Sequence, residues 1–194
     1  MKRAVFVPLL LIPALGGCIN LGLGNAKTPP ALLTLTATSR AVDGSTIIGT
    51  PGTALSVIEP GAAAKLEVIR VPVTIDDARV AYLKKAQWVE RPSRLFQHLL
   101  AETLRASGKR LVVEGDAFTK GQILSGQLLD FGYDVRTRSA IVRFDATRSM
   151  PDGTTQTRRF EAGSGPIDAD VGQVGPALNE AANKVAHDVS DWIG

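Results

Sequence analysis

Three extended runs laid end to end, followed by one long amphipathic stripe, restrict the fold of this chain more than any other feature. Residues Gly121 to Tyr133, Ser139 to Arg148 and Thr154 to Ala162 mix apolar and polar residues in strand-like fashion, with Met150-Pro151-Asp152-Gly153 as a turn between the last two. That succession predicts an antiparallel meander. From Gly172 to Ile193, Val174, Leu178, Ala181, Ala182, Val185, Val189 and Trp192 then fall on one stripe, with Pro176 expected in the first turn of the resulting helix. A sheet with one apolar face and a helix with one apolar stripe solve each other's burial problem.

The upstream half supplies a second helix and shorter strands. Pro92 suits a first helical turn, Leu95, Phe96, Leu99, Leu100, Thr103 and Leu104 share one face, and Gly108 can cap the end. Leu33, Leu35 and Ala37 alternate with Thr34, Thr36 and Thr38, predicting a strand with one buried face. Leu55 to Ile58, Lys65 to Ile75, Val80 to Leu83 and Lys109 to Val113 also read as strands. Val68 and Ile69 are expected inside the sheet, with Pro72 at a strand end or an edge. The fold class is therefore α+β: a single domain with a mixed, mainly antiparallel sheet and two long helices packed on one face. A composition of 44% hydrophobic and 21% charged residues supports a complete core, which the 5% aromatic content leaves mostly to aliphatic side chains.

The N-terminus reads as a targeting segment. Lys2 and Arg3 precede an uncharged run from Ala4 to Leu15 that is too short for a membrane span and is interrupted by Pro8 and Pro13. Leu15-Gly16-Gly17-Cys18 follows, resembling a bacterial lipobox, in which small residues let a peptidase reach the bond before a cysteine whose thiol is alkylated by diacylglycerol. The alternative is a plain secretory signal with an incidental cysteine. Cys18 is the single cysteine of the chain, so no intrachain disulfide or multi-cysteine zinc site exists. The expected organisation is a signal peptide over 1–17, lipidated Cys18 with a Gly/Asn/Pro-containing tether over 18–30, and a folded domain over 31–194. Ile19, where an Asp would resemble an inner-membrane retention signal, favours the periplasmic face of the outer membrane. Removing 1–17 also removes Lys2 and Arg3, so much of the formal charge of +3 belongs to the signal.

No motif argues for catalysis. His98 and His187 read as surface or boundary positions on the two helices, and no His-Glu-x-x-His or Cys-x-x-Cys spacing exists. Gly163-Ser164-Gly165 is not a nucleophile elbow, Gly22-Leu23-Gly24 lies in the tether, and the adjacent Asp76 and Asp77 read as solvated turn residues. Arg136, Arg138, Arg143, Arg148, Arg158 and Arg159 cluster in the meander among Asp130, Asp134, Asp145 and Glu161, predicting cross-strand ion pairs on a wet face, with a docking surface as the sharper alternative. Nucleic-acid binding would need interleaved aromatics and a larger charge. Trp88, after Lys84-Lys85 and before the helix, is expected to pack under the helix N-terminus, with a partner or ligand contact as its alternative role.

The order of these features resembles a known family. The lipobox, the strand Leu32 to Thr36, the strand Leu66 to Val73 with Asp76-Asp77, Val80 to Leu83, Gln87-Trp88-Val89-Glu90-Arg91-Pro92 with its Leu-rich helix, the Gly126-Gln127-Leu128-Leu129-Asp130-Phe131 strand and a closing helix ending Asp191-Trp192-Ile193 resemble the ABC-type transport auxiliary lipoproteins, also described as paraquat-inducible protein C-like. The resemblance covers nearly the whole chain after Cys18. It implies a non-catalytic outer-membrane lipoprotein without cofactors. The implied partners are an MCE-domain periplasmic protein with an ABC permease and ATPase, and membrane lipid held through the acylated N-terminus. The implied task is moving phospholipids or other hydrophobic molecules between membranes. Of the family's functional positions only Cys18 carries over. Two other readings stand beside it: a periplasmic lipid carrier or envelope-assembly lipoprotein acting without a transporter, and an envelope hydrolase.

Overall fold

One long strand organises the sheet. In a computed structural model that describes residues 31–117 and 120–194, β6 (Gln122–Asp134) pairs along one edge with β7 (Ser139–Ser149), which pairs in turn with β8 (Thr155–Ser164), both antiparallel. The other edge of β6 is tiled by three short parallel strands: β1 (Leu55–Val57), β2 (Gly61–Ala62) and β3 (Arg70–Thr74). β5 (Val112–Glu114) extends the sheet beyond β1 in parallel, and β4 (Val80–Gln87) extends it antiparallel beyond β3. The sheet is mixed, and its longest ladders are the antiparallel ones of the meander. A single turn of 3-10 helix, Ala64–Leu66, links β2 to β3.

Helices α1 (Pro92–Ala106) and α2 (Val171–Ile193) contact each other and cover the same sheet face. Alternation makes that face apolar: β7 buries Ala140, Val142, Phe144 and Ala146 while Arg143 and Asp145 point the other way. β8 adds Phe160 and Ala162 to the covered face. Phe96 of α1 stands edge-on to Phe131 at 6.3 Å and to Phe144 at 5.2 Å, so three of the few aromatic rings fill the gap between helix and sheet. Gln97, buried on the same helix, donates from Nε2 to the Val57 carbonyl at 2.8 Å and fixes α1 over β1. Pro92 occupies the first turn of α1, and Gly108, at φ +67, closes its end, its amide bonding the Arg105 carbonyl at 3.0 Å.

Several expectations shift. Residues 31–39 alternate as expected but form no full strand, meeting the sheet only at an isolated Leu33–Trp88 bridge. The Lys65 to Ile75 run divides, its first residues in the 3-10 turn and Val68 and Ile69 exposed, so β3 starts at Arg70. Pro72 is neither at an end nor at an edge: it lies between β4 and β6, at a bulge where β3 advances two residues against five in β4. A bulge is where a strand loses ladder hydrogen bonds anyway, so the missing N–H does no harm there. β4 runs to Gln87, beyond the expected Leu83. Pro176 stands inside α2, past the first turn, which begins behind the Asp170 cap; the Asp170 carboxylate accepts from the Gly172 amide at 2.8 Å. Among the described residues no helix is long and apolar enough to cross a membrane.

Candidate functional site

The described chain begins as a strap. Residues 31–39 lie along α2 with Leu33, Leu35 and Ala37 packed inward and the threonines outward. An extended segment without a strand partner has backbone groups to satisfy, and α2 supplies the partners from side chains spaced four apart. The Thr36 amide donates to Asn179 Oδ1 at 2.8 Å, and the Thr38 amide donates to Asn183 Oδ1 at 2.8 Å. Asn183 Nδ2 donates back to the Thr36 carbonyl at 2.9 Å, and His187 Nε2 lies 3.0 Å from Thr38 Oγ1. Just beyond the strap, the Ala41 amide donates to Glu102 Oε1 of α1 at 2.9 Å. Sequence reasoning missed this clamp. Its signal was the polar file Asn179, Asn183 and His187 beside the apolar stripe of α2.

The strap meets the sheet at a crossing of three chains. The Trp88 amide donates to the Ile69 carbonyl at 2.7 Å, the Leu33 amide to Gln87 at 2.7 Å, and the Val89 amide to Leu33 at 2.9 Å. Trp88 itself is 1% exposed, edge-on to Phe131 at 5.4 Å. Its indole is thus buried against Phe131, which in turn stands edge-on to Phe96 of α1. A side chain this buried presents no surface for a partner, so any contact at this position falls to its neighbours. The indole N–H has no hydrogen-bond partner among the described residues.

The uncovered sheet face carries the charges. Directly opposed residues pair across the meander: Arg143 donates to Glu161 at 2.6 Å, and Arg159 grips Asp145 with two bonds of 2.6 Å. Asp130 lies between Lys65 and Arg143, bonded to both. Hydrogen bonds from Arg159 hold the Asp145 carboxyl below the usual carboxylate range. Burial would raise Asp134, but hydrogen bonds from the Arg136 side chain and amide outweigh it and lower that carboxyl. A cleft of about 330 Å³ on this face is lined by Lys65, Thr74, Asp130, Tyr133, Arg136 and Arg143. Of the six clustered arginines, Arg143 and Arg159 form the cross-strand pairs expected from the sequence, while Arg136 and Arg138 pair outside the ladder with Asp134 and Asp168. Arg148 and Arg158 correct the expectation: by strand alternation they fall on the helix side, where Arg148 donates to the Trp192 carbonyl at 3.0 Å and Arg158 lies over the Phe160 ring at 4.9 Å.

The remaining candidates are scattered. Asp76 bonds Arg79 at 2.7 Å and Asp77 bonds Arg136 at 2.9 Å, both in the turn after β3. Ser164 donates to Glu180 at 2.6 Å. His98 Nδ1 lies 2.5 Å from Glu114 and some distance along the fold from His187, which serves the strap. Among the described residues no three His, Cys, Asp or Glu side chains come together as a metal site. Leu15, Gly16, Gly17 and Cys18, with the tether to residue 30, lie outside the described residues.

No family model and no curated protein matches the chain. Among solved structures it is similar to a Xanthomonas campestris protein of the DUF330 family, with a TM-score of 0.69 at 17% identity over 84% of this chain and 94% of that one. A second, described only as an uncharacterized protein, gives 0.66 at 10% identity over 84% of this chain and all of the other, 100%. At such identities the likeness is one of fold.

Proposed function

We propose that this chain is a non-catalytic lipoprotein, anchored through Cys18 in the outer membrane and facing the periplasm. In this reading it is the auxiliary subunit of an MCE-type ABC transport system for phospholipids or other hydrophobic molecules. The observation that carries the reading is the continuity of lipobox, short tether and clamped strap. A chain lipidated at Cys18 enters its domain through residues 31–39, which α2 holds by Asn179, Asn183 and His187. That is the construction an anchored docking domain requires. Phe96, Phe131 and Phe144 fill the space between α1 and the sheet, which favours docking over carriage of a lipid inside the domain.

Fatty-acid labelling of the protein should disappear in Cys18→Ala, and the wild-type protein should fractionate with outer membranes. Affinity capture from crosslinked envelopes should recover an MCE-domain protein with its permease and ATPase. Labelling that survives Cys18→Ala overturns the anchor, and capture without any of those components, in cells whose deletion leaves lipid asymmetry intact, overturns the transport role. A mass spectrum showing stoichiometric lipid in the purified protein would favour the carrier instead.

A further inference from the structure

Four aliphatic side chains stand exposed together at the three-chain crossing. Leu32, Val68, Ile69 and Val89 keep 51%, 38%, 41% and 49% of their surface in solvent. They sit on backbones joined by the hydrogen bonds of Trp88 to Ile69, Leu33 to Gln87 and Val89 to Leu33. Alternation accounts for Leu32 and Val89: Leu33 and Trp88 turn toward the core, so their neighbours turn away.

The edge strand that leads into this rim carries exposed cations with no ion-pair partner among the described residues, Lys84 and Lys85, and Arg70 lies over the Tyr82 ring at 4.2 Å. β4 bulges outward here, since Gln87 faces Arg70 while Tyr82 already faces Pro72. Lys85, within the bulge, has φ +60, a conformation unfavourable for a residue with a Cβ and held here by the surrounding structure.

We propose that this rim is a membrane-contact surface, its aliphatic side chains entering the headgroup layer and Lys84, Lys85 and Arg70 facing anionic phospholipid. The proposal rests on the lipoprotein reading for its geometry. Leu32 follows Cys18 by fourteen positions, a stretch of chain that spans at most about 50 Å, so the rim lies where the folded domain leaves its anchor. Exposed aliphatics beside these cations match the chemistry of an anionic interface. Four side chains fall well short of the roughly 20–30 residues per side that a stable protein interface uses.

The lone cysteine makes the test clean, because acylation at Cys18 leaves any introduced cysteine as the sole free thiol. Val68→Cys, Val89→Cys and the distant Thr154→Cys are labelled with an environment-sensitive fluorophore in the acylated protein, reconstituted into phosphatidylethanolamine–phosphatidylglycerol vesicles. Labels at 68 and 89 should shift to the blue and be quenched by spin-labelled lipid, while the label at 154 stays in water. Lys84→Gln with Lys85→Gln should lower the docked-to-free ratio about 25-fold, each lysine near an anionic surface contributing about fivefold. A second arm holds Cys18→Ser variants on the same vesicles by an N-terminal hexahistidine on nickel-chelating lipid, so the rim is read whether or not acylation occurs. Labels at 68 and 89 that stay wet on floated vesicles in both arms overturn the proposal and leave the anchor intact. Shielding that develops only when envelope protein is added overturns it in favour of a protein partner. Failure of the first arm to float, with shielding in the second, overturns the anchor and leaves the rim.

Discussion

Replacing Asn183 should loosen the strap around Thr38 without unfolding the domain. Its side chain is 3% exposed and bonds the strap three times: to the Thr36 carbonyl at 2.9 Å, the Thr38 amide at 2.8 Å and Thr38 Oγ1 at 3.0 Å. A fourth bond, to the Asn179 carbonyl at 2.8 Å, stays within α2 and does not count toward the strap. At about 0.5–1.5 kcal/mol net for each bond, Asn183→Ala removes roughly 1.5–4.5 kcal/mol of strap attachment. The Thr36–Asn179, Thr38–His187 and Ala41–Glu102 contacts, the backbone bonds at the Leu33–Trp88 bridge and the partly buried Leu33, Leu35 and Ala37 remain in the variant, so the loss is felt as easier local opening around Thr38. With 1.4 kcal/mol per factor of ten, amide exchange at Thr38 should accelerate about 10- to 1000-fold.

Hydrogen exchange read residue by residue decides the matter. Amides inside α2, β6 and β7 should keep their protection to within the small loss from one altered helix residue, and the denaturant m-value should stay near wild type because the core is unchanged. Asn183→Leu restores buried volume but none of the bonds, so Thr38 should exchange as fast as in the alanine variant. If Thr38 keeps its wild-type rate in both variants, or accelerates only in step with global unfolding, Asn183 is a packing residue and the clamp as described is wrong.

Three further outcomes follow from the geometry. Phe96→Ala, at a fully buried position between Phe131 and Phe144, should destabilise by about 3–5 kcal/mol in chemical denaturation, and Phe96→Leu by clearly less. Lys85→Gly should leave stability unchanged or raise it by up to about 1 kcal/mol, since relief of the left-handed φ exceeds or balances the added chain entropy of glycine, whereas Lys85→Val should lower it. Burial raises the Glu114 carboxyl, but hydrogen bonds from Arg105 and His98 outweigh it and place the group below the ordinary 4.5. Its lowered folded value means a stabilising contribution present above pH 4.5 and lost as pH falls through the folded value, so the stability gap between wild type and Glu114→Gln should shrink on acidification from pH 7 to 3. A gap that stays constant over that range would show the pair is not the source.

How far the sequence was legible depended on whether a residue's partners were local. The meander reads almost to the residue because Ala140, Val142, Phe144 and Ala146 alternate with Arg143 and Asp145, and the turn that joins its last two strands is written in Met150 to Gly153. The two helices are equally plain from their period. Apolarity misleads at Val68 and Ile69, where the same residues that fill a buried strand instead stand in solvent. The bulge at Lys85 carries no glycine or asparagine to announce its positive φ. The parallel tiling of β1, β2 and β3 along β6 depends on contacts far apart in the chain and leaves no periodic trace.

The strap shows most clearly what periodicity omits. Leu33, Leu35 and Ala37 state that one face of residues 31–39 is covered, and from that alone a sheet is the economical cover. A helix can serve instead only if it also supplies donors and acceptors to an extended backbone, and α2 does so through residues 143 to 149 positions away. Alternation therefore specifies burial, not pairing. Here the difference bears on function, because a strand in the sheet would open only with the core, whereas a segment held mainly by Asn179, Asn183 and His187, with one bridge to the sheet at Leu33, should open by itself. The join between the domain and its N-terminal segment is thus set by a few polar side chains whose contribution single substitutions can measure.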